Sequence, residues 1–384
     1  MRIVRARVVP IRLPLRAPLE TAHGRIVERR GALLVLGAED GRQGLGEATP
    51  IEGFGLESVA TARDTLATLA AEVLGRDTDE LETLLDAAGD TAPDAPVARA
   101  ALDCALHDLV AQAAGAPLAA WLATASGGAA RTRVAASALV TSPVPAEAAV
   151  EAVRLRDAGF RCLKLKLGAA GALERDLARI AAVRAAIGHD CALRLDANGA
   201  WSAAEAARAL AALGGLGVEL VEQPVASSEV EVLAALRANS PVRIAADESA
   251  AVARDLARVL ALRAADVVVL KPAALGGLRA AWRLAARARA IGCELFVTTL
   301  LDGAVSRAAA LALAAALPGP LRACGLATGA LLAADLAPPE PIRDGALDVP
   351  ARPGLGVALD AAALARVAEG RGRVALERAA RAHA

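Results

Sequence analysis

The chain has no tyrosine, and only three phenylalanines and three tryptophans among 384 residues. So sparse a set cannot build the stacked aromatic platforms on which single-stranded nucleic acids lie, and tyrosine acid–base chemistry is excluded. Neither sign of charge is in excess. The 43 Lys+Arg balance 43 Asp+Glu, so there is no basic surplus to displace counterions from a phosphate backbone. Five cysteines, Cys104, Cys162, Cys191, Cys293 and Cys324, are scattered without a CxxC pair, which suits a reducing compartment better than a disulfide framework. The opening residues are interrupted by Arg2, Arg5 and Arg7 and carry no signal-peptide apolar core. The longest apolar stretch, Ala308 to Leu317, is about half a membrane span. We therefore expect a cytoplasmic protein with no nucleic-acid or membrane partner. Homo-oligomer formation is left open.

With 55% of residues hydrophobic and 22% charged, the chain can bury a large core. At roughly 150 residues per domain, its length predicts two domains, or one large α/β domain with an appendage. The stretch 1–130 reads as α+β: strands at Ile3–Val9 and Ala32–Gly37, a turn at Asp40-Gly41 leading to Gln43–Glu47, then helices at Ser58–Leu74, Asp79–Ala88 and Val97–Ala114. From Arg133 the pattern becomes short apolar strands alternating with helices. The strands are Val134–Leu139, Cys162–Leu167, Leu193–Ala197, Leu220–Glu222, Ile244–Ala246, Val267–Leu270, Glu294–Thr298 and Arg322–Gly325. Ser202 and Glu205 form a capping box for one of the helices.

Seven or eight such βα units in succession predict a TIM-type (β/α) barrel. The rival doubly wound sheet would place a GxGxxG after its first strand, and none occurs. We divide the chain into an α+β capping domain over 1–130, the barrel over 131–335, and a segment over 336–384 that returns to the capping domain, with Val357–Leu359 as a strand.

Buried parallel strands should be apolar throughout, but several here are not. Lys164 and Lys166 alternate with leucines, as do Arg194, Asp196 and Asn198, so the pleat sends the polar groups to one face and the leucines to the other. Later strands end at Glu222, Asp247 and Lys271, which follow Asp196 at nearly even intervals. Each interval is close to one βα unit. That spacing sets Lys166, Asp196, Glu222, Asp247 and Lys271 at the C-terminal ends of successive strands, the face where barrel enzymes act. Three converging carboxylates repel unless a hard divalent cation joins them, and all-oxygen ligation suits Mg²⁺. Flanking lysines are acid–base candidates, with pKa values expected to be lowered by the metal and by each other. The set points to removal of a proton α to a carboxylate, with charge developing as an enediolate. Taken singly, each of these residues also reads as an ordinary ion pair, Glu47 as a hairpin charge and Asp302 as a helix N-cap.

The segments Lys164-Leu165-Lys166, Asp196-Ala197-Asn198-Gly199, Val221-Glu222-Gln223-Pro224, Ala246-Asp247-Glu248-Ser249, Leu270-Lys271-Pro272 and Pro353-Gly354-Leu355-Gly356-Val357 resemble the enolase superfamily, in its muconate-lactonizing subgroup. The resemblance implies Asp196, Glu222 and Asp247 as Mg²⁺ ligands, with Mn²⁺ as a substitute. It implies Lys166 as general base with Lys164 as its electrostatic neighbour, Lys271 opposite, and Asn198 and Glu248 as supports. It further implies that cap loops at Thr21–Arg25 and Gly53–Gly55 cover the site, with substrate contacts from His23, Phe54, Thr298, Asp302 and Leu326.

The region from Ala323 to Asp335 is similar to o-succinylbenzoate synthases. No acid lies between Asp302 and Asp335, where dipeptide epimerases carry an Asp-x-Asp pair for the substrate ammonium. The Leu301-Asp302-Gly303 turn is close to the Leu-Glu-Gly of muconate cycloisomerases. The expected activity is therefore a Mg²⁺-dependent dehydration of a small-molecule carboxylate to o-succinylbenzoate, in menaquinone biosynthesis. Muconate-type cycloisomerization and N-acylamino acid racemization or dipeptide epimerization are the alternatives, and a catalytically silent binding barrel is the non-enzyme rival.

Overall fold

Three prolines, Pro10, Pro14 and Pro18, fall inside the first strand, β1 (Ile3–Thr21), of the computed structural model, which describes residues 1–21, 24–167 and 173–370. They are tolerated because β1 lies at the edge of a sheet ordered β1-β2-β3, with β2 at Gly24–Ala38 and β3 at Gln43–Ala48, where a missing N–H breaks no second ladder. The prolines hid the strand's full length, so the hairpin extends well past the Val9 expected for it. The sheet is buried on both faces. Ile3, Ala6, Val8, Leu34 and Leu36 pack with the helices of the cap, and Ile11, Leu13, Leu33 and Val35 belong to the barrel's core. Those helices are α1 (Val59–Glu72, capped by Ser58 at Thr61 N, 3.1 Å), α2 (Leu81–Thr91) and α3 (Pro96–Ala113), whereas the buried residues of α4 (Leu118–Thr124) join the barrel's core. Helix α3 presses so closely on β3 that a Cβ at Gly46 would run into the Ala101 carbonyl.

The single strand expected at Val134–Leu139 is two. Strand β4 (Arg133–Ala135) pairs antiparallel with a C-terminal strand, and β5 (Ala138–Val140) enters the barrel. The break at Ala136-Ser137 is set by Cys324, which bridges Ala136 and accepts from Ser137 N at 2.9 Å. That contact joins two distant parts of the chain, and local sequence does not encode it. After α5 (Pro145–Asp157) the parallel sheet runs through β6 (Cys162–Lys166), β7 (Ala192–Asp196), β8 (Leu220–Glu222), β9 (Arg243–Ala246), β10 (Val267–Leu270) and β11 (Glu294–Val297) in unbroken order.

Helices α6 (Leu173–Ile187), α7 (Ala203–Leu213), α8 (Val230–Asn239), α9 (Ala253–Ala261), the short α10 (Pro272–Leu275), α11 (Leu278–Ala290) and α12 (Ala304–Ala316) make the connections. The Ser202–Glu205 capping box opens α7 as expected. The strand expected at Arg322–Gly325 is reduced to two bridges, Thr298 to Gly325 and Ala136 to Cys324, which take the eighth place in the barrel.

Past the barrel, β12 (Ile342–Arg343) and β13 (Ala346–Asp348) form a hairpin on β4. Gly354 then bridges Pro117, and Glu369 receives Arg30 and Arg63 of the cap, each at 2.5 Å, beyond helix α13 (Ala361–Val367). Val357–Leu359 is not a strand: Val357 and Leu359 pack on the core as a loop, and burial alone satisfies them. No helix of the described residues is long and apolar enough to cross a membrane.

Candidate active site

The pleat does the first sorting. In β6, Leu163 and Leu165 are fully buried in the core, and Lys164 and Lys166 take the other face. Lys166 is in register with Asp196 on β7, and Asp196 with Glu222 on β8, so the three form one rung of the ladder. Asp247 follows β9 by one residue and Lys271 follows β10 by one. All five expected positions therefore meet at the C-terminal mouth.

Lys164 Nζ lies 2.8 Å from Asp196 Oδ2 and 2.7 Å from Glu222 Oε1. Lys166 Nζ is 3.6 Å from Asp196 Oδ2 and donates to Asn198 Oδ1 at 2.8 Å. Lys271 Nζ is in close contact with Asp247 Oδ1 and stands 4.4 Å from the centre of the Phe54 ring. Asn198 Nδ2 donates to Glu248 Oε1 at 3.0 Å. Arg179, on α6, holds the mouth end of β6 by donating to the Lys166 carbonyl. Nothing in the helix sequence marks that arginine beforehand.

Burial and charge act in opposite directions on these groups. Burial would lower the Lys164 pKa, but Asp196, Glu222 and Asp247 outweigh it and raise it above the ordinary lysine range. With carboxylates as its nearest neighbours, the ammonium form is favoured. Burial pushes the Glu222 carboxyl up to about 8, with Asp196 and Asp247 adding to the rise against Lys164. Asp247 is raised by burial, whereas for Asp196 burial is overcome by Lys164 and Lys166 and the net shift is downward.

Among the described residues, no three His, Cys, Asp or Glu side chains are grouped as a metal-holding set, and lysine ammonium groups lie directly on the acids. The donor chemistry nevertheless fits a hard cation. Three carboxylates are nearly inaccessible to water, and the buried Glu222 Oε2 has no hydrogen-bond partner, a cost that a cation would relieve.

Other expected residues fall elsewhere. Arg194 shares the polar face but reaches the opposite end of the barrel, binding Glu219 Oε2 at 2.6 Å and the Ala323 carbonyl at 2.7 Å, with its guanidinium 4.5 Å from the Phe296 ring centre. Thr298 donates its hydroxyl to the Gly325 carbonyl at 2.9 Å, and Leu326 is buried in the barrel core. His23 lies outside the described residues.

Asp302 does not cap α12. It accepts from Leu300 N at 2.9 Å and faces the Thr49 hydroxyl at 3.1 Å. Helix α12 is capped from afar instead: Glu47 of the cap accepts from Gly303 N at 2.6 Å and Ser306 N at 3.2 Å, and Asp335 accepts from Ala304 N at 2.9 Å. Glu47, read from sequence as a hairpin charge, is thus buried at the seam between cap and barrel. The helix N–H groups it caps lie in the far half of the chain, which is why no local signal marks that role.

Two family models match the chain. The mandelate racemase / muconate lactonizing enzyme N-terminal domain covers residues 3–122, and the enolase C-terminal domain-like family covers residues 147–363. An o-succinylbenzoate synthase of Mycolicibacterium smegmatis is 43% identical over 238 residues, which is 60% of this chain and 72% of that one. The crystal structure of a muconate lactonizing enzyme of Pseudomonas fluorescens, complexed with muconolactone, superposes with a TM-score of 0.88 at 32% identity, covering 96% of this chain and 99% of that one. A dipeptide epimerase of Enterococcus faecalis, complexed with Mg and the dipeptide L-Leu-L-Tyr, superposes with a TM-score of 0.85 at 28% identity, covering 93% of this chain and 100% of that one.

Proposed function

Since the chain belongs to the enolase superfamily, in its mandelate racemase / muconate lactonizing branch, we propose that it removes the proton α to a carboxylate and then expels water, as an o-succinylbenzoate synthase does. The observation that carries this reading is the meeting of Lys166 and Lys271, from β6 and from the end of β10, with Asp196, Glu222 and Asp247 at one barrel mouth. Asp196, Glu222 and Asp247 would hold a divalent cation, Mg²⁺ or Mn²⁺. When bound, it supplies positive charge for the substrate carboxylate as the α-proton leaves.

Lys166, as the free amine, takes the α-proton of a succinyl-hydroxycyclohexadiene carboxylate, and the C–H electron pair moves into the carboxylate. When that pair returns to form the new ring double bond, the C–O bond to the ring hydroxyl breaks. Lys166 passes its proton to the departing hydroxide, which leaves as water. The ring becomes aromatic, so much of the driving force comes from the product itself. Lys271 remains an ammonium and steadies the transient negative charge, while Lys164 stays on the acids.

The choice of substrate rests on a missing anchor. Epimerizing a free dipeptide calls for a carboxylate near the substrate ammonium. Both acids that flank the eighth-strand region are engaged, Asp302 with Thr49 and Leu300 N, and Asp335 with Arg307 at 2.7 Å and Ala304 N. An N-acylamino acid has no ammonium, so racemization of such a compound by Lys166 and Lys271 is the second reading, favoured by the placement of two amines on different strands.

Purified chain with Mg²⁺ should be assayed on the cyclohexadiene acid, muconate, dipeptides and N-succinylamino acids. We expect turnover of the first and its loss in Lys166→Ala. Clear turnover of another substrate without the first would overturn the synthase reading.

A further inference from the structure

Lys271 is held from two domains. Its chain leaves β10 and caps the short α10, its side chain is 6% exposed, and its ammonium rests on Asp247 of the barrel. From the capping domain, Phe54 brings its ring centre to 4.4 Å from Nζ. Phe54 ends a single helical turn, Glu52–Phe54, after which Gly55 takes a left-handed φ of 69° and returns its N–H to the Glu52 carbonyl at 3.1 Å. The reversal directly after Phe54 fixes where the ring can stand. A Cβ at Gly55 would meet nothing within 4 Å, so glycine is there for its backbone conformation and not for space.

An ammonium is drawn to an aromatic face by the ring's quadrupole, and the attraction grows as water is excluded. A lysine has four rotatable side-chain bonds, and contact with Asp247 alone would leave its ammonium free to swing about that carboxylate. The ring supplies a second point of attachment on another side. An aliphatic side chain of similar bulk would fill the same space without that field.

We propose that Phe54 is a positioning residue for Lys271: its ring fixes the ammonium at the barrel mouth, so that seating of the capping domain completes the site. This rests on the reading of Lys271 as the cation that steadies charge on the substrate.

The test is a series of mono-, di- and trifluorinated phenylalanines at position 54 of the full chain, in which ring shape is nearly constant while the quadrupole falls stepwise. We expect kcat to fall with each fluorine, by about 3- to 30-fold in total, with KM within about twofold. Phe54→Leu should lose as much. A flat fluorination series, or an unimpaired Phe54→Leu enzyme, would overturn the proposal.

A double-mutant cycle on unfolding removes the dependence on turnover. Phe54→Leu should shift the folding equilibrium at least about threefold more in the Lys271 chain than in Lys271→Met; equal shifts overturn the proposal. Absence of any α-proton exchange in the parent chain would instead defeat the functional reading, and the cycle would still decide whether Phe54 holds the lysine.

Discussion

The ammonium of Lys166 donates to the side-chain oxygen of Asn198 at 2.8 Å. The other side of that amide donates to Glu248 at 3.0 Å, and the Asn198 backbone N–H donates to Asp196 Oδ1 at 3.0 Å from a left-handed conformation with φ of 47°. Glu248 accepts and cannot donate when ionised, so it forces the amide NH₂ toward itself and the oxygen toward Lys166. With one N–H of the amine committed to Asn198, the direction of the nitrogen lone pair is restricted. Asn198→Ala should therefore lower kcat about 100-fold with little change in KM, the scale of a misplaced catalytic group. Glu248→Gln should cost less, since a glutamine oxygen still accepts from Asn198. Steady-state kinetics on both variants checks this.

The seam between cap and barrel should make stability depend on pH. The Thr49 hydroxyl lies 3.1 Å from both Glu47 Oε1 and Asp302 Oδ1. A hydroxyl has one proton, so one of these contacts needs a proton on a carboxyl. Burial, together with Asp302 and Asp335, raises the Glu47 pKa to about 7 from an ordinary 4.5. A carboxyl with a raised folded-state value binds protons more readily folded than unfolded. Its contribution is therefore greatest at low pH and is lost as pH rises from about 4.5 to about 7. The loss is on the order of 3 kcal/mol. Urea unfolding from pH 4.5 to 8 should show this decline, and Glu47→Gln should make it shallower, because glutamine does not titrate while the raised Asp302 and Glu222 carboxyls remain.

At the closed end of the barrel, Arg194 is 1% exposed and ties Glu219, the Ala323 carbonyl and the Phe296 ring together. Arg194→Met keeps most of the volume but leaves the Ala323 carbonyl without that donor, while Glu219 keeps Arg322. The expected loss is about 3 kcal/mol of unfolding free energy, at the lower end for breaking a buried pair. Kinetic constants of the folded fraction should stay within about twofold. Urea unfolding and activity, measured on the same preparation, separate the two effects.

How much of this was legible in the sequence followed the range of the interactions. The alternation of Lys164 and Lys166 with leucines and the βα spacing of Asp196, Glu222, Asp247 and Lys271 are local or periodic, and their convergence at one barrel mouth is readable from them. The Thr49 seam and the split at Ala136-Ser137 depend on partners remote in the chain, Asp302 and Cys324, and no local pattern encodes them. The eighth strand shrinks to bridges for the same reason, since Ala136 is one of its two partners. Arg194 takes the face that alternation assigns it but reaches the end away from the site, because alternation fixes a side and not the direction in which a long side chain runs. The prolines of β1 were misleading for a different reason. They disfavour a strand only where both of its edges must pair.

The proposed chemistry requires that Asp196, Glu222 and Asp247, whose nearest counter-charges are lysine ammonium groups, together take up one divalent cation. Electron paramagnetic resonance of Mn²⁺ titrated into the chain tests this without any substrate. We predict one bound ion per chain, with affinity lowered at least about 100-fold in each of Asp196→Asn, Glu222→Gln and Asp247→Asn. Binding in all three variants as tight as in the unsubstituted chain would show that these acids do not hold the cation.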